Sequence, residues 1–184
     1  MEIMNRNAFV SSTLILSFLY LIHTREATAA NMRSFIEAVR RKAPVVYLGE
    51  VKEVHVLRRT KFDLKARAVV SVSAVVRGPG DKPSEATVEY SSYDEETPML
   101  AGGPQYQLRP GAKVVIFADS FQGTVPPGYL IQGQPAELLQ RVEALRDSLN
   151  QMSSDQLKVN EINEDDRRVQ LALYEKLCGH LRSM

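Results

Sequence analysis

Three histidines and one cysteine are all that this chain offers for metal or thiol chemistry, beside its serines and carboxylates. His23 stands in an apolar N-terminal stretch, His55 lies between Val54 and Val56, and His180 is near the end. No HExxH or CxxC brings ligands together at zinc spacing. A Ser-His-Asp set could be drawn from His55, Asp63 and either Ser71 or Ser73, but no GxSxG turn presents a nucleophile. His55 is expected to face solvent from a strand. Asp94-Glu95-Glu96 are adjacent and lack the alternating spacing of a calcium loop. Gly78-Pro79-Gly80-Asp81-Lys82 lacks the terminal Lys-Ser/Thr of a phosphate loop and reads as a hairpin turn. Cys178 has no partner for an intrachain disulfide and is expected as a half-buried, inert thiol. These residues carry neither an enzyme nor a cofactor or metal site.

One cluster remains. Arg58, Arg59, Lys61, Lys65 and Arg67 crowd the first hairpin. A single-stranded nucleic acid would need aromatic platforms among such cations. Phe62 shares the apolar parity of Leu64 and Ala66 and is expected inside, so no nucleic-acid partner is expected. A protein partner would meet Arg58, Arg59 and Lys61, together with Tyr93 and Tyr106 from the long segment that follows.

The elements that hold these residues follow from periodicity. Met32, Phe35, Ile36 and Val39 share one face of a short leading helix that Pro44 stops. The run 45–57 is apolar and β-branched, with a slip in alternation at Gly49-Glu50 that marks a bulged, bent first strand. From Phe62 to Val76 every even position is apolar, which predicts a long strand with one buried face. A third strand is expected around Ala86, Val88 and Tyr90, and a fourth, covered on both faces, over 114–118. A short fifth is expected at 129–131. The stretch 91–111, rich in Gly, Pro and acids, reads as a long loop. Five strands with long hairpins imply a small barrel. Beyond Pro135 the period turns helical: Leu138, Val142, Leu145, Leu149 and Met152 form a narrow seam for a partner helix or groove. Val169, Leu173, Leu177 and Leu181 line a last helix.

Residues 1–29 read as a secretory signal: Arg6, an apolar run over 8–22, then Ala27-Thr28-Ala29 as a small-x-small cleavage site. That run covers roughly 22 Å as a helix, short of a hydrocarbon core of about 30 Å. An exported chain, periplasmic or extracellular, without a membrane span after cleavage is expected. The chain has 23 basic and 22 acidic residues, a net charge of +1, so no strong polyanion partner is implied.

Taken together, Ala43-Pro44-Val45-Val46-Tyr47-Leu48-Gly49-Glu50-Val51, the VSAVVRG of 72–78, Tyr106-Gln107-Leu108-Arg109-Pro110-Gly111, the KVVIFA of 113–118 and Gly128-Tyr129-Leu130 resemble bacterial OB-fold proteins related to tissue inhibitors of metalloproteinases and to netrin-type modules. The resemblance covers about 43–133 and implies a five-stranded OB-like barrel. Cysteines usual in that group have no counterpart: Gly102-Gly103 and Gln132-Gly133-Gln134 stand in their regions, and Ala30-Asn31 at the expected mature start cannot chelate a protease zinc. The expected organisation is an α+β chain with a signal over 1–29, an OB-like domain with its leading helix over 30–134 and a helical extension over 135–184. The expected function is a non-enzymatic binding or assembly module for another protein, with self-association through the C-terminal helices. Alternatives are an inhibitor or sensor of an extracellular hydrolase acting through 91–111, and a nucleic-acid-binding OB-fold.

Overall fold

A run of β-branched and aromatic residues favours extended backbone. The first strand, β1, runs through it as Val45–Arg59. The computed structural model describes residues 36, 40–60, 63–93, 107–125 and 129–184, with only the backbone of 63 and 93. From residue 38 on the chain is one compact unit, and 1–37 forms another of which only Ile36 is described. The signal segment and most of the leading helix thus lie outside the described residues. Residues 40–42 are helical.

β2 (Asp63–Arg77), β3 (Glu85–Tyr93), β4 (Lys113–Ala118), β5 (Gln122–Thr124) and β6 (Leu130–Gly133) complete the sheet. The class is α+β, as expected, but the five-stranded barrel is not formed. Among the described residues the sheet has six strands in the order β5-β3-β2-β1-β4-β6 and is open. All neighbours are antiparallel except β3 and β5. The strand that would join β3 to β4 is split in two. β5 pairs with β3 and β6 with β4.

The sheet buries one cluster on one face, its inner face, including Tyr47, Val51, Ala66, Val70, Val88, Tyr90, Val114 and Ile116. A second cluster lies on the opposite face, where Val46, Leu48, Val115, Phe117 and Ile131 meet the helices. β4 and the first half of β1 are therefore apolar on both faces.

Bulges set which residue goes where. In the β1–β2 ladder Val46 faces Arg77 and Tyr47 faces Val75, skipping Val76; Leu48 faces Ala74 and Gly49 faces Val72, skipping Ser73. Even positions point inward from Leu64 to Val72, all at most 4% exposed. Beyond Val72 the parity breaks: Val75 packs on the inner cluster, whereas Ala74 and Val76 pack on the helical one. At Gly49 the strands approach so closely that a Cβ would stand 2.4 Å from Val70 Cγ1 and 2.6 Å from the Ser71 carbonyl oxygen. Only glycine fits there without displacing backbone.

Three helices follow: α1 (Pro135–Asn150), α2 (Ser154–Val159) and α3 (Glu164–Arg182). α1 begins with Pro135 at its first position, and the Glu137 carboxylate accepts the Gln134 N–H at 3.1 Å. Ser153 caps α2, whose Gln156 N–H donates to the Ser153 hydroxyl. Asn163 accepts the Asp166 N–H at 2.8 Å to start α3. The seam of α1 is spent inside the chain: Leu138, Val142 and Leu149 are buried in the second cluster, with Leu145 and Met152 against it. In α3 the buried face is broader than the expected stripe. It holds Gln170, Leu173, Tyr174, Leu177, Cys178 and Leu181, while Val169 is 59% exposed. Arg182–Glu143 at 2.6 Å and Arg146–Glu175 at 3.2 Å bridge α1 and α3 outside this core.

Candidate functional site: the distal β1–β2 ribbon

Hydrogen bonds show where the sheet body ends. β4 accompanies β1 from Val45 to Glu50. The loop before it extends this by one residue: the Val51 N–H donates to the Ala112 carbonyl at 2.9 Å, and the Gly111 N–H donates to the Val51 carbonyl at 2.8 Å. Gly111 holds a φ of 83°, left-handed backbone suited to glycine. From Lys52 onward, among the described residues, no strand lies on that side of β1. The distal half, 52–59, is paired on its other side with β2, and β2 in turn with β3.

This ribbon is exposed along most of β1. Val56 is 53% and Leu57 43% exposed, neighbouring large apolar side chains held in water. A register shift between Val56 and Arg58 leaves Leu57 as an extra residue, and another between Val51 and Glu53 does the same at Lys52. Such bulges and an edge lysine blunt an open edge against indiscriminate pairing.

The cations of the ribbon are not equivalent. Lys65 and Arg67 converge on Glu89 of β3 at 3.2 and 2.7 Å, and the hydrogen bonds from Arg67 and then Lys65 hold the Glu89 carboxyl below its usual range. Lys52 and Lys113 flank Glu50 at 2.9 and 2.7 Å and draw its pKa down to about 2. Arg58 and Arg59 lie exposed beside Leu57. Lys61 and Tyr106, named from sequence, lie outside the described residues, as does the Tyr93 side chain. The ribbon therefore brings together two of the five named positions, Arg58 and Arg59, and adds Val56 and Leu57. Their apolar neighbours in sequence gave them the look of ordinary strand core. What could have singled them out is the bulge, which breaks the alternation in Val54-His55-Val56-Leu57.

His55 is exposed and makes a 2.9 Å contact with Glu53. Asp63 belongs to β2 and Ser71 and Ser73 lie further along it, where Glu50 faces Ser71, Ser73 is skipped at a bulge, and His55 faces Arg67 instead. No group of three His, Cys, Asp or Glu among the described residues is arranged to hold a metal ion. Cys178 is fully buried rather than half-buried, because α3 packs a wide face inward, and burial raises its thiol pKa. In the inner cluster the Tyr47 ring lies 5.3 Å from Phe121, and burial raises the pKa of its phenol. No helix among the described residues is long and apolar enough to cross a membrane. No family model, curated protein or solved structure matches this chain.

Proposed function

We propose that this chain is a non-enzymatic binding module, exported from the cytoplasm, that engages another protein through its distal β1–β2 ribbon. The exposure of Val56 and Leu57 beside Arg58 and Arg59 carries this reading. Adjacent large apolar residues on an otherwise polar projection cost water structure unless a partner covers them, and arginine next to apolar anchors is common where proteins meet. An OB-like ancestry without closure is consistent with the long β1 shared by β2 and β4 and with the parallel β3–β5 pair. Export rests on the signal-like segment over 1–29. The Glu89 carboxylate shared by Lys65 and Arg67 offsets one of their two charges and weighs against a nucleic-acid groove.

The test is capture of partners from the secreted or envelope fraction of the native host, with the wild-type chain and the double variant Val56→Asp/Leu57→Asp as baits. The wild type is expected to retain a defined protein that the variant loses, while circular dichroism shows both folded. Equal capture by both would remove the ribbon from any binding role.

A further inference from the structure

Residues opposite one another in a ladder point to the same side of the sheet. The register therefore places Arg58 beside Lys65, and His55 beside Arg67 and Glu89, all facing away from the inner cluster that holds Ala66, Ala68 and Tyr90. At this end of the outer face three cations share one carboxylate, that of Glu89, which Lys65 and Arg67 hold at 3.2 and 2.7 Å. Glu53, further back on β1, is met by His55 at 2.9 Å. Arg58 belongs to neither set: it is exposed, and its guanidinium makes no hydrogen bond or ion pair among the described residues. We propose that Arg58 is the charged anchor of the ribbon, and that the protein it engages presents an acidic segment, a carboxylate set beside an apolar side chain. The inference rests on the binding reading above and adds the chemistry of the partner.

The position of Arg58 carries this assignment. Like charges directly opposite in a ladder weaken it, and the one carboxylate beside Lys65 is also held by Arg67. A side chain that costs the fold stability and touches nothing within it is placed for a contact outside it. A carboxylate suits that contact, since its two oxygens accept a guanidinium at two points and its charge offsets the repulsion with Lys65. A basic partner would instead add a fourth cation to three. Arg59 is engaged within the chain, so the charge offered beside Leu57 is that of Arg58. Leu57, the extra residue of the adjacent bulge and 43% exposed, supplies the apolar contact.

Poly-L-glutamate is the probe. The chain, as its host expresses and processes it, is expected to bind this polymer at low ionic strength and to release it as salt is raised to about 0.5 M. Arg58→Glu is expected to weaken the binding about tenfold. Because it turns a like-charged pair with Lys65 into an opposite one, it is also expected to raise the melting temperature by about 1–2 °C. Arg168→Glu makes the same change of charge at an 80% exposed side chain on α3 and is expected to leave the binding unchanged. Binding by Arg58→Glu equal to that of the wild type would overturn the proposal. So would a variant that melts below the wild type, since Arg58 would then belong to the fold. Tighter binding of an oligothymidylate than of poly-L-glutamate would assign the face to nucleic acid and overturn the acidic partner. In the capture experiment above, a protein lost by Val56→Asp/Leu57→Asp but retained by Arg58→Glu would overturn this inference alone and leave the binding reading standing.

Discussion

At the scale of single residues, the contacts that fix this fold are few and specific. Arg77 is the clearest. Its Nη1 donates to the carbonyls of Arg41 and Ala43 at 2.8 and 3.1 Å, and Nη2 donates to Gln170 Oε1 at 3.3 Å. One guanidinium thus ties the segment before β1 to the end of β2 and to α3. Arg77→Ala leaves Gln170 buried without that donor, and is expected to cost about 1–3 kcal/mol in denaturant unfolding. Gly49→Ala is expected to cost a similar amount, roughly 1–3 kcal/mol, because its new methyl meets the backbone of β2.

Glu50 supplies a pH-dependent contact. Two lysines lower its pKa from 4.5 to about 2, so folding favours its charged form. The contribution is present above pH 4.5 and is lost as the pH falls through about 2. In thermal unfolding followed against pH, Glu50→Gln is expected to melt slightly below the wild type at neutral pH and to match it near pH 2. A constant gap across that range would show that the carboxylate charge is not what matters there.

At the scale of elements, sequence periodicity located β1 to β4, the last strand and the two long helices, because each buries a regular face. The even-position rule held from Leu64 to Val72, so Val70→Asp is expected to unfold the domain while Ser73→Asp is tolerated. A buried, unpaired carboxylate costs several kcal/mol against a typical total stability of roughly 5–15 kcal/mol. The rule failed at Ala74–Val76 because skipped residues reset the phase, and nothing in their composition signals a bulge. β5 escaped notice because Gln122-Gly123-Thr124 is three residues long and wholly exposed. The closed barrel is an inference from strand number, whereas β5 and β6 pair with different strands and the sheet of the described residues is open. The leucines of α3 imply a narrower arc than the one that buries Tyr174 and Cys178. Of the candidate site, the arginines were legible from composition, whereas Val56 and Leu57 become distinctive only when the ribbon is seen to leave the sheet body.

The helices are the element whose role most depends on the structure. A chain ending at Gly133 would expose Val46, Leu48, Val115, Phe117 and Ile131, the sheet's half of the second cluster. Such a truncation is expected to lose cooperative unfolding by circular dichroism. A truncated chain that melts cooperatively would instead make the helices an independent appendage.

At the scale of the whole molecule, the design is a sheet buried on both faces near β1 and β4, with one half of β1 carried beyond its cover. A body so thoroughly packed has no need to leave Val56 and Leu57 in water for its own stability. Placing a photoreactive amino acid at position 56, in the protein produced by its native host, measures most directly whether that ribbon is a contact surface. Irradiation is expected to give one defined cross-linked product, and no such product from position 159, an 83% exposed site on α2. Cross-linking at 159 but not at 56 would contradict the assignment of the ribbon, as would an absence of adducts at 56.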